Sequence, residues 1–133
     1  MDIEQLRDYC LSKSGAEETL PFGPDTLVFK IAGKAFLLCT LNTGELSFNV
    51  KCDPDLASEL REQYTCVQPG YHMNKKHWNT IKVDGSISSK QLKDWIDHSY
   101  ELVLNGLPKK ASGHFRKDLE RGVFSVKKPR KAR

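Results

Sequence analysis

The sequence lacks the features that mark membrane-spanning, secreted or metal-stabilised proteins. No apolar run approaches the roughly 20 residues that a bilayer-spanning helix needs. The first residues, MDIEQLRDYC, are acidic and amphipathic, whereas a secretory signal is basic and then apolar. The cysteines at 10, 39, 52 and 66 form no C-x-x-C pair of the kind found in zinc and thiol-exchange sites. We therefore predict a cytoplasmic protein with no metal or other cofactor and with buried free thiols, although the even number of cysteines leaves a disulfide open.

The sequence also lacks a recognisable catalytic constellation. Histidines at 72, 77, 98 and 114 and the scattered carboxylates show no spacing typical of an acid–base pair or of a nucleophile with its base. His72 and His77 lie on a predicted loop, and their spacing differs from the i, i+4 pair of a zinc protease. The glycines are spaced as turn residues and form neither a phosphate-binding loop nor a nucleophile elbow. We expect a protein without enzymatic activity.

Positive charge is scarce in most of the chain and abundant at its end. Residues 1–105 hold 11 Lys and Arg against 15 Asp and Glu, a net charge of −4, whereas residues 106–133 hold 10 against 2, a net charge of +8. Such a basic block is typical of an arm that binds polyanions, because each cation placed on a phosphate releases a condensed counterion. The alternative is a solvated tail that only aids solubility.

The length of 133 residues suits one domain with a tail. We predict an α+β domain over residues 1–110 and a basic C-terminal tail over residues 111–133. Within the tail, residues 112–124 can form a short helix, because Phe115 and Leu119 lie one turn apart.

Apolar periodicity and capping residues predict three helices and five strands. The helices are predicted over residues 2–14, 53–64 and 89–104, with Asp2, Asp53 and Ser88 as N-caps. The strands are predicted over residues 26–32, 34–41, 45–51, 65–69 and 78–85. Residues 16–25 contain two prolines and a glycine, so we predict an extended lead-in whose Phe22 folds onto the core. The inner face of the third helix is predicted to consist of Leu92, Trp95, Ile96, Ser99 and Val103.

The order α-β3-α-β2-α has hairpin-length connections and no crossover suited to a parallel sheet. It predicts a two-layer α+β sandwich, in which helices cover one face of an antiparallel five-stranded sheet.

The segment PGYHMNKKHWNTI, residues 69–81, is a candidate contact loop. It is longer than a hairpin needs, and its lysines, asparagine and aromatics suit phosphates, base edges and base stacking respectively. For Lys75 and Lys76 we favour the contact interpretation. For Tyr71 and Trp78 we favour packing in the core, because large aromatic side chains dominate the cores of small domains.

Four blocks of the sequence, in order, resemble the YjbR (also MmcQ) family of small bacterial proteins. The blocks are ETLPFGPDTLVFKIAGKAF, VKCDPDLASELRE, VQPGYHMNKKHWNTI and WIDHSYELVLNGLPKK. The resemblance implies a fold related to secretion-chaperone-like and frataxin-like domains. It also implies DNA as the partner, because the family is generally described as DNA-binding, with winged-helix-like hairpins as contact elements. The acidic body and the long basic extension after Lys110 depart from the family pattern.

Resemblance and charge together predict a non-enzymatic, regulatory DNA-binding protein that contacts phosphates through the tail and the loop at residues 69–78. The predicted nucleic-acid-binding residues are Lys34, Asn74, Lys75, Lys76, His77, Lys109, Lys110, Arg116, Lys117, Lys127, Lys128, Arg130 and Lys131. The alternative is a protein-interaction or chaperone-like module that binds a partner peptide on the open face of the sheet, with the tail incidental.

Overall fold

The computed structural model describes residues 1–41, 44–70 and 73–108. These residues form three helices, α1 (Ile3–Leu11), α2 (Pro54–Gln63) and α3 (Ser89–Asn105). They also form six strands, β1 (Ala16–Thr19), β2 (Thr26–Ile31), β3 (Lys34–Thr40), β4 (Ser47–Lys51), β5 (Val67–Pro69) and β6 (Trp78–Lys82). The strands make one sheet in the order β1-β2-β3-β4-β6-β5, and every adjacent pair is antiparallel. The predicted α+β class, antiparallel sheet and three helices are confirmed.

The predicted count of five strands is wrong, because residues 16–19 form a sixth strand. The segment AEET pairs with β2, from Ala16 opposite Ile31 to Thr19 opposite Val28. Alanine and glutamate are depleted in strands, so the local sequence gives little sign of this strand, and pairing with β2 is what creates it. The expected position of Phe22 is also wrong: this side chain is 72% exposed on the turn that follows β1.

The predicted helix starts are confirmed, since each N-cap side chain accepts a hydrogen bond from a backbone N–H in the first turn. Asp2 accepts from Gln5, Asp53 from Leu56, and Ser88 from Gln91. The first helix ends at Leu11, whereas the prediction extended it to residue 14. It ends early because Lys13 and Ser14 are directed into the core. The ammonium of Lys13 reaches a buried carboxylate, and the carbonyl of Ser14 accepts a hydrogen bond from Tyr100.

The core lies between one face of the sheet and the three helices. Side chains alternate along each strand, and a bulge in β3 places both Phe36 and Leu37 in the core. The residues predicted for the inner face of α3 are all buried. The helices share this face, because Arg7 of α1 pairs with Glu18 of β1 and Asn79 of β6 donates to a carbonyl of α2. None of the helices in the described ranges is long and apolar enough to cross a bilayer.

The middle of α3 joins the layers through side chains of the WIDHSY block. The hydroxyl of Ser99 accepts from the N–H of Lys51 at 2.8 Å and donates to the carbonyl of Phe36 at 2.5 Å. These two backbone groups lie just beyond the last pair of the β3–β4 ladder, Leu37 with Val50, so Ser99 provides hydrogen bonds where that ladder ends. The adjacent His98 accepts from the N–H of Asp53 through Nε2 at 3.1 Å and thereby fixes the start of α2.

Candidate nucleic-acid interface

The sheet face away from the helices is basic. The strand register and side-chain alternation assign Lys30, Lys51 and Lys82 to this open face. Its other strand residues are mostly small or polar: Glu17, Thr19, Thr26, Ala35, Leu38, Thr40, Ser47, Asn49, Gln68, Trp78 and Thr80. Val28 is on the same side of the sheet but is only 1% exposed. Among the described strands, Glu17 is the one carboxylate on this face. The face therefore has an excess of positive charge.

The carboxylates of the body are concentrated in the opposite layer. Helices α1, α2 and α3 together contain eight acidic residues and four basic ones, Arg7, Arg61, Lys90 and Lys93. The eight are Glu4, Asp8, Asp55, Glu59, Glu62, Asp94, Asp97 and Glu101. From the sequence alone, the net negative charge of residues 1–105 suggests a poor surface for polyanions. The structure shows that much of this negative charge is in the helices and not on the open face of the sheet. The two layers have opposite charge.

The loop between β5 and β6 presents a pair of lysines from a defined turn. The backbone carbonyl of Asn74 accepts from the N–H groups of His77 and Trp78, both at 3.0 Å. The side-chain oxygen of Asn74 accepts from the N–H of Lys76 at 3.0 Å. The guanidinium of Arg61 donates to the carbonyl of Lys75 at 3.0 Å and ties the turn to α2. Both lysine side chains are exposed at the surface.

Several of the predicted cations meet at one end of the sheet. Lys51 is opposite Trp78 in the register, so the end of β4 adjoins the β5–β6 loop. Lys34 begins β3 at the same end, about 10 Å from Trp78 across the sheet. It is opposite the core residue Ile31, however, so alternation assigns its side chain to the face that the helices cover. The second half of α3 also lies here, because Ser99 bonds to Lys51.

The remaining predicted contact residues lie outside the described part of the chain. They are Lys109, Lys110, Arg116, Lys117, Lys127, Lys128, Arg130 and Lys131, together with the aromatic Tyr71 and the short helix predicted over 112–124.

Trp78 is on the open face and does not fill the core as we expected. Its side chain is half-buried and is absent from the set of side chains that form or pack against the core. Gly70 sits beside it, and a methyl group added to this glycine would lie 3.0 Å from Cβ of Trp78. The indole is thus placed at the surface by its register with Lys51 and by the small residue on its other side.

Sequence reasoning missed Lys30, Lys51 and Lys82 as candidate contacts. Each lies between two side chains that are at least partly buried, so strand alternation was the signal that could have found them. Alternation alone does not show which face of the sheet the helices cover. The lysines on the uncovered face are the accessible ones.

Two of the clefts that the described residues form lie beside the helices. One, of about 470 Å³, is lined by Gln5, Asp8, Tyr9, Ser89 and Lys93, among others. The other, of about 580 Å³, lies between the start of α1 and the β3–β4 connection. In residues 1–41, 44–70 and 73–108, no three His, Cys, Asp or Glu side chains are placed to hold a metal ion.

An antiparallel six-stranded sheet with three helices on one face and lysines on the other defines a small two-layer α+β protein with a basic sheet. The chain belongs to the YjbR family, whose model matches residues 11–102. The resemblance stated from the four sequence blocks is thereby confirmed.

Relatives and solved structures agree with this assignment. The chain is similar to the uncharacterized protein YbdF of Escherichia coli O157:H7, with 43% identity over 68% of this chain and 74% of the relative. It is 33% identical to the uncharacterized protein YjbR of Escherichia coli K12, over 81% of this chain and 92% of the relative. The Deinococcus radiodurans protein DR2400, with a DUF419 domain, has a TM-score of 0.79 and 33% identity over 86% of this chain and 87% of its own. A Pseudomonas syringae protein has a TM-score of 0.67 and 28% identity over 77% of this chain and 98% of its own.

Proposed function

We propose that the protein is a non-enzymatic nucleic-acid-binding protein, with DNA as its ligand, and that its role is regulatory. The observation that supports this most is the division of charge between the layers: lysines on the open face of the sheet and carboxylates on the helices. A polyphosphate approaching the sheet meets cations, and one approaching the helices is repelled.

The arrangement of the cations suits a backbone rather than a single phosphate. Lys30 and Lys51 are two strands apart, which is about 10 Å across the sheet. Lys82 lies four residues along β6 from Trp78, the residue opposite Lys51, which is about 13 Å along the strand. Lys75 and Lys76 extend this surface beyond the end of the strands. Separate phosphates along one chain can therefore occupy separate lysines, which gives affinity with little dependence on sequence.

The matched experiment compares two lysine pairs on opposite layers. Lys75→Ala/Lys76→Ala removes two exposed cations near the open face, and Lys90→Ala/Lys93→Ala removes two exposed cations from α3. Both variants lose the same net charge. We expect the loop variant alone to lose affinity for DNA, and the slope of log K against log salt to fall by up to about 1.8 for two lost phosphate contacts.

Equal losses in the two variants would contradict the assignment of the interface, because the effect would then follow net charge alone. The competing function is a protein-interaction module that uses the same open face. That function predicts no DNA binding even at low salt, together with a defined protein partner that is retained after nuclease treatment.

A further inference from the structure

The corner of the open face around Trp78 combines an aromatic ring, a cation and amide groups. The register places Lys51 directly opposite Trp78 on one side, and Gly70 lies beside the ring on the other. Because glycine has no side chain, nothing from that position covers the indole. The ring therefore has a positively charged neighbour, and Gly70 adds no side chain beside it.

The next row of the sheet contains Asn49, Thr80 and Gln68 side by side. The oxygen Oδ1 of Asn49 accepts a hydrogen bond from the hydroxyl of Thr80, which fixes the amide in place. Asn49 and Gln68 are diagonal cross-strand neighbours of Trp78, so their amides start from positions about 7–8 Å from it. Amides can donate to and accept from base edges.

We propose that this corner binds an unpaired base and that single-stranded nucleic acid is the preferred ligand. The base stacks on Trp78, the adjacent phosphate binds Lys51, and the amides of Asn49 and Gln68 contact the base edge. This inference rests on the proposed function and adds the class of nucleic acid.

The geometry of the sheet favours a single strand over a duplex. Six strands span about 24 Å between their outer axes, whereas the major groove of DNA is about 12 Å wide. The face as a whole cannot enter the groove, so lysines spread across all of it can reach a duplex only at its phosphates. A single strand can lie flat across the sheet with its bases turned toward the ring, and each stacked base then adds to the affinity.

Tryptophan fluorescence of the full-length protein tests this inference. The chain has two tryptophans, and Trp95 is only 6% exposed in the core. Stacking on Trp78 should quench its emission, while Trp95 serves as an internal reference. The probes are an oligothymidylate of about 15 nucleotides, which matches the site size of single-strand binders, and a duplex of equal length.

Variants separate stacking from charge. Trp78→Ala should weaken single-strand binding roughly 5- to 150-fold and leave duplex binding nearly unchanged, whereas Trp78→Phe should retain part of the affinity without the quenching. Because Trp78 is half-buried, Lys51→Ala provides a second test, with Lys90→Ala on α3 as its charge-matched control. We expect Lys51→Ala to weaken single-strand binding more than Lys90→Ala.

The outcomes distinguish this inference from the proposed function. Tighter binding of the single strand with quenching of Trp78 supports both. Equal or tighter binding of the duplex, with unaltered emission on adding the single strand, overturns the inference and leaves the proposed function standing. Binding of neither probe at low salt overturns both.

Discussion

At the scale of single residues, the strongest buried interaction is the ion pair between Lys13 and Asp97. Both side chains are almost fully buried. The hydroxyl of Tyr9 donates to the same carboxylate at 2.5 Å, and the Lys13 ammonium lies 4.6 Å from the centre of the Tyr9 ring. The pair joins the end of α1 to the middle of α3 and explains why the helix ends before its predicted boundary.

Removing one member of this pair should destabilise the fold strongly. Lys13→Met leaves the carboxylate of Asp97 buried without its counterion, and we expect the free energy of unfolding to fall by about 3–5 kcal/mol. Arg7→Met is the control, because it breaks the exposed pair with Glu18 and should cost much less than Lys13→Met. Urea unfolding measures both variants, and equal losses would show that the buried pair contributes no more than a surface one.

Buried thiols make the fold sensitive to alkaline pH. Burial raises the pKa of the Cys39 thiol to about 11, and burial with the nearby carboxylate of Asp53 raises that of Cys52 to about 12. An unfolded thiol ionises near pH 8.5. The contribution of each thiol is therefore complete below about pH 8.5 and is lost as the pH rises toward the folded pKa, by at most about 1.4 kcal/mol per pH unit.

Unfolding in urea with a reductant present, at pH values between about 8 and 10.5, checks this expectation. Cys39→Ala should flatten the decline of stability with pH relative to the parent chain. An identical slope in both proteins would mean that Cys39 does not remain protonated in the folded state.

At the scale of elements, Ser99 connects α3 to the two central strands. Ser99→Ala removes the acceptor for the N–H of Lys51 and the donor to the carbonyl of Phe36, so we expect a loss of about 1–3 kcal/mol in the free energy of unfolding. Native-state hydrogen exchange should also become faster at the Lys51 amide. Ser12→Ala, which removes an exposed hydroxyl, should have little effect. Unchanged exchange at Lys51 would refute the bridging role of Ser99.

The elements differ in how well the sequence predicts them, and the difference has physical causes. The helices were predictable because Asp2, Asp53 and Ser88 are local signals that precede periodic apolar residues. Strand β1 was not, because pairing with β2 creates it and its own residues favour no strand. The bulge that places Phe36 in the core depends on the alignment of two strands, which a single sequence does not display.

The candidate site was predictable only in part for the same reason. Lys75 and Lys76 stand in a recognisable loop, whereas Lys30, Lys51 and Lys82 gain their importance from the side of the sheet that the helices leave open. Trp78 was expected in the core because aromatic residues usually pack there, yet its register with Lys51 places it on the other face.

At the scale of the whole molecule, we expect the basic C-terminal residues to add phosphate contacts to those of the open face. The tail follows Pro108, and every Lys and Arg of residues 106–133 lies beyond that residue. Truncation after Pro108 removes all ten, so we expect weaker DNA binding and a flatter salt dependence. The helices and strands of the described chain all lie within residues 1–108, so we expect the urea midpoint to change little. A truncated chain that retains the full salt slope would show that the tail makes no phosphate contacts.

For residues 1–105, the distribution of charge is more informative than the net charge. A body with a net charge of −4 looks unsuited to DNA until the helices and the open sheet face are considered separately. The account therefore depends on one claim: nucleic acid contacts the open face and not the helical face.

Chemical-shift mapping of the isotope-labelled protein during titration with an oligonucleotide tests that claim most directly. We expect the amide signals that move at low salt to cluster at Lys30, Lys51, Trp78 and Lys82 and in the turn at Lys75 and Lys76, and to return as salt is added. Shifts confined to α1, α2 and α3, or no shifts at low salt, would contradict the account.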